Sequence, residues 1–282
     1  MPELPEVETI VRDIRPSLVG RRFASAKLTH DDVLRGVSRR GIVRALAGAR
    51  VEEVTRRAKH AVIRLDRGTR LVVQPGMTGS LIVHRKALTE SEARYGVLRL
   101  PLEGGGELVY RDVRRLGTLL LLDERGWSAY DAALGPEPLS VEFTPARLAR
   151  AFAGTTQYVK KALMDQRLVV GVGNIYANEA LFAAGIDPSR PANSLTEPEV
   201  GRVHREVQRI LNAAIASNGT TFRDYRTGTG ESGNFQLELM VYEREGEPCR
   251  NCGTLLAGTH SIDARITVFC WRCQRRHDGR TE

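Results

Sequence analysis

The first apolar pattern in the chain has helical spacing. Between residues 5 and 19 apolar side chains recur every three or four positions: Val7, Ile10, Val11, Ile14 and Leu18. This period predicts an amphipathic helix, and Pro5 suits its first turn because a proline there loses no helical hydrogen bond. Pro16 is expected to kink or end the helix, since a proline further along removes one such bond.

Residues 21–123 follow a different pattern, in which short runs of β-favouring residues are separated by turns that often contain glycine. The runs are 61–65, 70–73, 80–83, 97–100, 107–110 and 118–122. Such spacing is typical of an antiparallel sandwich or barrel. We expect a β-sandwich that, together with the first helix, forms a domain over residues 1–125.

Glycine and proline at positions 126, 135, 136 and 138 then predict a linker over 126–143. Helical patterns follow at 144–153, at 159–166, and from 174 to about 184, where Gly185 is expected to end the helix. Thr196 and Glu199 form a predicted capping box for a further helix that ends before Asn218-Gly219. These helices predict a second domain over 144–225.

The last part of the chain is more irregular. Residues 227–235 are glycine-rich and polar, so that we expect a loop over 226–236. A short strand is predicted at 237–242, followed by a cysteine-containing segment within 237–274 and a polar tail at 275–282. The whole pattern predicts a multidomain α+β protein.

Composition and charge narrow the function. The chain has 282 residues, of which 41% are hydrophobic and 27% charged, and no apolar run approaches the roughly 20 residues that span a bilayer. No secretory signal is recognisable, so we expect a cytoplasmic protein. The net charge of +8 and the pI of about 9.6 favour a polyanionic partner, although a solvated basic surface would give the same numbers.

All four cysteines lie in one short segment, as two Cys-x2-Cys pairs: Cys249 with Cys252, and Cys270 with Cys273. Two such pairs facing each other give tetrahedral all-sulfur coordination, which suits zinc. Because sulfur would fill every coordination position, one structural Zn²⁺ holding a β-hairpin is predicted and not a catalytic metal. Arg265 precedes Cys270 by five residues, where a rigid turn could present it to a phosphate.

Three further motifs are candidates for nucleic-acid contact. The glycine-rich turn 171–173 leads into an Asn174-capped helix, and free amides at a helix start bind anions. No parallel βαβ unit precedes it, which argues against a dinucleotide site. The turn 112–117 presents Arg114 and Leu116, and the turn 76–79 presents Met77; exposed apolar residues of this kind can enter a base stack. Taken alone, each turn favours the simpler interpretation of an ordinary β-turn with solvated side chains.

The chain starts Met-Pro-Glu-Leu-Pro-Glu. Removal of Met1 would leave Pro2 as a free secondary amine, and an α-amino group is partly unprotonated near neutral pH. Such an amine attacks a sugar C1′ to form an iminium directly, and Glu3 and Glu6 lie within reach. The same residues could also be only a rigid helix start.

The N-terminal residues, the glycine-rich helix start and the four-cysteine segment follow one another along the chain. Together they resemble the bacterial formamidopyrimidine-DNA glycosylases, the oxidised-base repair family that includes endonuclease VIII. The resemblance covers residues 2–274. It is carried by PELPEVET at the start, by LMDQRLVVGVGNIYANEALFAAGI at 163–186, which is similar to the family's helix–two-turns–helix element, and by the four-cysteine segment. It implies a monomeric DNA glycosylase and AP lyase that excises 8-oxoguanine and formamidopyrimidines from duplex DNA in base excision repair, acting at the nucleoid.

The resemblance also implies catalytic roles at matching positions. Pro2 is the expected Schiff-base nucleophile, Glu3 the proton donor, and Glu6 a supporting hydrogen-bonding residue. Lys59 is expected to contact phosphate and assist β-elimination, and Arg265 to take part in δ-elimination.

DNA-contact roles follow in the same way. Asn174, Arg265 and Tyr242 are expected to contact phosphates, and Lys160 matches a lysine linked to oxidised-guanine handling. Three residues are expected to fill the gap left by an everted nucleotide: Met77, Arg114 and Leu116. The loop 226–236 is expected to cap the lesion.

The chain departs from the family where DPRRFG is usual, since Val113 replaces the proline and Leu116 the phenylalanine. Gln74-Pro75 stands where His-Leu is common. These changes concern lesion search and opposite-base preference. Two other interpretations remain: an enzyme of the same fold that prefers oxidised pyrimidines, and a zinc-ribbon DNA-binding protein without catalysis.

Overall fold

The computed structural model describes residues 2–86, 88–221 and 226–274, with the side chains of Ser91 and Glu92 excepted. The predicted tail at 275–282 lies outside the described residues, as do positions 222–225. The chain divides into two compact units. The first contains Met1–Ala133 and Ala214–Gln236, and the second contains Leu134–Ala213 and Leu237–Glu282.

The first unit is built from two four-stranded antiparallel sheets and a long N-terminal helix. That helix is α1 (Leu4–Leu18). One sheet has the order β1 (Lys27–Leu28), β6 (Gly96–Pro101), β7 (Glu107–Asp112), β5 (Gly79–His84). The other has the order β2 (Val51–Arg57), β3 (His60–Leu65), β4 (Thr69–Gln74), β8 (Thr118–Asp123). Three shorter helices are α2 (Arg39–Leu46), α3 (Glu90–Ala93) and α4 (Glu124–Ala132).

One hydrophobic core joins α1 to both sheets. The apolar stripe of α1 is fully buried, and it packs in a single cluster with inward-facing side chains such as Ile63, Leu71 and Leu98. Burying each such side chain contributes about 1.5–3 kcal/mol. The six predicted strands are confirmed to within two residues at either end. Strand β2 was not predicted, because four of its seven residues are charged.

Pro16 was expected to kink or end α1, but the helix continues past it to Leu18. Leu18 is fully buried in the core of the first unit. Its packing outweighs the one hydrogen bond that Pro16 cannot donate.

The second unit contains α5 (Pro145–Ala153), α6 (Val159–Met164), α7 (Asn174–Ala184), most of α8 (Glu197–Ala216), and the hairpin of β9 (Ala257–Thr259) and β10 (Thr267–Phe269). The side chain of Thr144 accepts the Arg147 N–H and starts α5, as predicted. Gly185 ends α7 with φ 69°, a left-handed conformation that glycine adopts without strain. These helix positions confirm the helical pattern of the sequence, although α6 is two residues shorter than expected.

Two predictions about this part of the chain were wrong. The expected linker 126–143 begins inside α4, which forms because the Asp123 side chain accepts the Gly126 N–H at 2.7 Å and caps the helix. The expected strand 237–242 is absent from the described residues. Its backbone N–H groups at 240–242 are bound by a carboxylate and cannot join a β-ladder. Among the described helices none is both long and apolar enough to cross a bilayer.

Candidate functional site

The start of α1 places two buried carboxylates beside Pro2. Glu3 is the N-cap residue, and its side chain accepts the backbone N–H of Glu6, while Glu6 Oε2 accepts the Glu3 N–H at 2.8 Å. This reciprocal capping box explains why the helix begins here. Pro2, Glu3 and Glu6 are all buried. The three residues that the sequence grouped together therefore lie within one turn of each other.

A distant segment of the same unit closes on this helix start. Glu6 Oε1 accepts the backbone N–H of Thr220 at 2.8 Å. Gly219 has φ 80°, and a Cβ built there would lie 2.9 Å from Glu6 Oε1, so that only glycine fits. Further along, Gly228 donates its N–H to Asp13 Oδ2 at 3.0 Å. The described part of the 226–236 loop is thus tied to α1.

Lys59 lies in the turn between β2 and β3 and is only 5% exposed. Ala58 before it has φ 55°, an uncommon conformation for a residue with a side chain. Arg56 stabilises the turn, because its guanidinium donates to Ala58 O at 2.9 Å and to Glu8 Oε2 at 2.9 Å. A lysine that would usually be a surface residue is here held inside the first unit.

The two turns that present apolar side chains are joined by one buried carboxylate. Asp112 accepts the Tyr110 hydroxyl and the Gly117 N–H, both at 2.9 Å, and the Thr78 hydroxyl at 2.5 Å. Burial raises the pKa of Tyr110 strongly, and the Asp112 charge adds to the effect. At the tips of these turns Met77 is 41% exposed and Leu116 is 53% exposed.

We call the side chains of Met77 and Leu116 the apolar tips. Arg114 is also exposed, and its N–H donates to Thr78 Oγ1 at 2.9 Å, which links the two turns a second time. The structure therefore brings Met77, Arg114 and Leu116 onto adjoining turns, although 37 residues of sequence separate Met77 from Arg114. Sequence spacing alone could not show this.

In the second unit the glycine-rich turn leads into α7 as expected, but Asn174 does not cap it. Gly173 is the N-cap residue, and Asn174 is the first residue of the helix. Its side-chain amide instead donates to Ile266 O at 3.2 Å, which removes it from a capping role. Gln166 fixes the preceding turn by accepting the Gly171 N–H at 2.8 Å and donating to Val172 O at 3.0 Å.

Lys160 has no exposed surface. Its ammonium donates to Thr267 Oγ1 at 2.6 Å and to Ile266 O at 3.2 Å. Arg265, the neighbouring residue on the hairpin, has a side chain that is 50% exposed and donates to Asp263 at 3.0 Å. Burial alone would raise the pKa of Asp263, but hydrogen bonds from Arg265 outweigh it and keep that pKa below its usual value. Lys160 and Asn174 together thus hold the strand that follows Arg265.

Sequence reasoning missed Glu179. Its buried carboxylate accepts three consecutive backbone N–H groups, those of Met240, Val241 and Tyr242, at 2.8–2.9 Å. Burial raises the pKa of Glu179 in spite of these bonds. Glu179 is the one charged residue of α7, and a lone charge in a helix with so many apolar residues is the signal that could have found it. This contact fixes the backbone of Tyr242.

The four cysteines converge at one end of the hairpin. Their sulfur atoms all lie within 4.8 Å of one another, with Cys252–Cys270 at 3.5 Å and Cys249–Cys273 at 3.9 Å, and all four are free thiols. Tetrahedral coordination with Zn–S bonds of about 2.3 Å needs sulfur atoms about 3.8 Å apart. The four residues could therefore hold a metal ion, and an all-sulfur set fits zinc.

Comparison with known proteins gives matches along most of the chain. Residues 1–119 match the formamidopyrimidine-DNA glycosylase N-terminal domain, and residues 134–226 match the formamidopyrimidine-DNA glycosylase H2TH domain. A formamidopyrimidine-DNA glycosylase of Stutzerimonas stutzeri is 46% identical over 275 residues, which are 98% of this chain and 100% of that protein.

Solved structures of the Lactococcus lactis enzyme Fpg are similar as well. A variant in complex with a Fapy-dG containing DNA is 30% identical, with a TM-score of 0.89 over 98% of this chain and 100% of that one. A complex with an abasic site containing DNA is 30% identical, with a TM-score of 0.87 over 97% of this chain and 100% of that one.

Proposed function

The chain belongs to the formamidopyrimidine-DNA glycosylase family, and on that premise we propose that it excises oxidised purines from duplex DNA and then cleaves the strand at the abasic site. It is a DNA glycosylase and AP lyase of base excision repair, and damaged duplex DNA is its partner. The observation that carries the catalytic assignment is the pair of buried carboxylates, Glu3 and Glu6, beside Pro2 at the start of α1.

Base excision first requires access to the deoxyribose. Duplex DNA hides C1′, so the damaged nucleotide has to be everted, at a cost of a few kcal/mol. Three residues fill the space that the everted nucleotide leaves in the base stack: the apolar tips Met77 and Leu116, and Arg114. Their exposure and their position on two joined turns support this role.

The chemistry begins once Met1 is removed. The Pro2 nitrogen attacks C1′ as the bond from C1′ to the base breaks, and the proton that Pro2 loses leaves with the base. The C1′–O4′ bond then opens, which converts the Pro2 adduct into an iminium. Glu3 supplies a proton to the opening deoxyribose, and Glu6 orients Glu3 through the capping box. Covalent catalysis of this kind divides one difficult step into two easier ones.

Strand cleavage follows from the iminium, which acidifies the C2′ proton. Loss of that proton expels the 3′ phosphate by β-elimination, a step that Lys59 assists, and δ-elimination then expels the 5′ phosphate with the help of Arg265. No redox cofactor takes part in these steps. Oxidised pyrimidines are the competing substrate class. Leu4 argues against them, because the endonuclease VIII branch of the family typically has glycine at this position. The 226–236 loop argues against them as well, because it resembles the loop that closes over an everted purine. Paired assays with both lesions decide between the classes.

Phosphate binding is assigned to the second unit. Backbone amides at the start of α7, with Asn174, Arg265 and Tyr242, contact phosphates near the lesion. One structural Zn²⁺ on the four cysteines keeps the hairpin of Arg265 in shape. Lys160 contributes to the handling of oxidised guanine. The protein acts as a monomer on nucleoid DNA in the cytoplasm.

Borohydride reduction tests the proposal. With duplex DNA that contains 8-oxoguanine, borohydride should trap the wild-type protein covalently, and Pro2→Gly should lose most base excision. A zinc-ribbon protein without catalysis would bind this DNA and leave no adduct. Protein that retains Met1 is the matched control, because its imino nitrogen is blocked in an otherwise unchanged chain. Undiminished excision by that protein would refute Pro2 as the nucleophile.

A further inference from the structure

Helix α4 lacks the feature that usually attaches a helix to a sheet. None of its residues is buried, so the hydrophobic effect contributes little to its docking. It also lies between the two ranges that match family domains, residues 1–119 and 134–226. Something other than an apolar face therefore holds it in place.

The side-chain contacts of α4 are polar and aromatic, and they involve Arg70 on β4 and the ends of the two strands next to Lys59. Near its first turn Glu124 pairs with Arg70 on β4 at 2.7 Å, and the Arg70 guanidinium lies 5.4 Å from the Trp127 ring. At its other end Asp131 pairs with Arg57, the last residue of β2.

The remaining contact joins α4 to the first residue of β3. The Tyr130 hydroxyl lies 3.0 Å from His60 Nε2, and the two rings meet edge to face with centroids 5.6 Å apart. On its other side His60 Nδ1 lies 3.1 Å from Arg57 O. A carbonyl can only accept, so Nδ1 carries the proton and the neutral ring accepts the Tyr130 hydroxyl at Nε2.

His60 is buried, and burial lowers its pKa, which keeps the ring neutral at neutral pH. Arg57 and His60 are the paired residues that flank the Ala58-Lys59 turn. Two neighbouring residues of α4 therefore fix both strand ends from which Lys59 projects. Glu8 of α1 fixes the same turn from another direction through Arg56.

We propose that Tyr130 and Asp131 of α4, acting through His60 and Arg57, are positioning residues that hold the Lys59 ammonium in place for the elimination step. This inference rests on the proposed function of Lys59 in strand cleavage. It assigns a task to a helix none of whose residues is fully buried.

The test separates formation of the covalent intermediate from its breakdown. Tyr130→Phe keeps the ring and removes the hydroxyl. With DNA that already contains an abasic site, it should slow strand cleavage roughly three- to tenfold, the effect of losing one hydrogen bond, while borohydride still traps the protein to the wild-type extent. Asp131→Asn, which weakens the ion pair with Arg57, should likewise slow strand cleavage and leave trapping unchanged. The test therefore does not depend on one variant.

A double-mutant cycle with Lys59→Ala then distinguishes positioning from general loss of structure. If Tyr130 acts through Lys59, adding Tyr130→Phe to Lys59→Ala should change the remaining cleavage rate by less than roughly twofold. Tyr95→Phe is the matched control, because the Tyr95 ring contacts Arg94 and Arg111 and not this hairpin; it should leave cleavage unchanged.

Two results would overturn the inference: an equal loss of trapping and cleavage in Tyr130→Phe, or full additivity with Lys59→Ala. Failure of the proposed function would look different. In that case the wild-type protein itself would neither be trapped on abasic DNA nor cleave it.

Discussion

The carboxylate of Glu6 binds the backbone N–H of Thr220 at 2.8 Å, across 214 residues of sequence. The same carboxylate accepts the Glu3 N–H, so that one buried side chain joins the helix start beside Pro2, the proposed nucleophile, to the segment before the 226–236 loop. We therefore expect a change in the position of that segment to displace Glu6 beside Pro2. The first prediction follows from this link.

Gly219→Ala should reduce base excision at least tenfold. The added Cβ would lie 2.9 Å from Glu6 Oε1 and 3.0 Å from Glu6 Cγ, and φ 80° strains any residue with a side chain. Single-turnover excision of 8-oxoguanine measures the effect. Gly68→Ala is the matched control, because Gly68 in the turn between β3 and β4 has φ 68° but no atom within 4 Å of its Cβ position. Equal losses in the two variants would mean that backbone strain, and not the contact with Glu6, causes the defect.

Leu116→Ala should slow capture of the lesion more than cleavage of an abasic site that already exists. Leu116 is 53% exposed, so removing its side chain leaves the core intact and takes away the proposed contact with DNA. Comparing single-turnover rates on 8-oxoguanine and abasic duplexes measures the difference. Val113→Ala, at 40% exposure in the same turn, should leave both rates nearly unchanged. A Leu116 variant that slows both substrates equally would contradict its role in filling the stack.

Cys249→Ser should release the metal and weaken DNA binding before it affects the active-site amine. Cys249 and Cys270 are buried in a small cluster with Val241, Leu256 and Val268, and loss of the metal removes much of what holds so small a core together. Metal content, affinity for abasic DNA and borohydride trapping at saturating DNA are measured side by side. Normal affinity in metal-free protein would refute the structural role of zinc.

The Arg190–Glu199 ion pair should make the free energy of unfolding depend on pH. The guanidinium binds both carboxylate oxygens, at 2.6 and 3.0 Å, and Glu199 also accepts the Thr196 N–H that starts α8. Burial alone would raise the pKa of Glu199, but these bonds lower it to about 2. Its contribution, at most about 3 kcal/mol, is therefore present above pH 4.5, the unfolded value, and is lost as pH falls towards 2.

Urea unfolding at several pH values tests this contribution. Glu199→Gln should lower the free energy of unfolding at neutral pH and flatten its decline between about pH 4.5 and 2. Arg209 and Glu206 provide the control: their pair is exposed, and Glu206→Gln should have little effect. A wild-type slope in Glu199→Gln would show that the pair does not govern acid stability.

The sequence predicted those parts of the fold that depend on local periodicity. Strands β3 to β8 follow alternating or continuous apolar runs, and α7 ends at a glycine that needs positive φ. Strand β2 was missed because charged side chains such as Glu52 and Glu53 hide its pattern. Helix α4 was missed because it buries no residue and therefore leaves no apolar stripe.

Long-range polar contacts could not be read from the sequence at all. Residues 237–242 have the composition of a strand, yet Glu179 on α7 binds their N–H groups. Lys160 was expected to act on oxidised guanine, but no sequence pattern indicates that its ammonium donates to Ile266 O and Thr267 Oγ1. Such contacts depend on side chains that only the folded chain brings together.

Asp112 and its hydrogen-bond partners hold together the two turns that expose Met77 and Leu116. The bonds that join the two exposed turns come from Asp112, Thr78, Tyr110 and backbone N–H groups, and none involves the side chain of Met77 or Leu116. Mutations at these two positions can therefore alter the size and shape of the exposed side chains without rebuilding their support. Under the proposed role of Met77 and Leu116 in filling the vacated stack, evolution or protein engineering can change lesion search one residue at a time while the supporting turns stay the same.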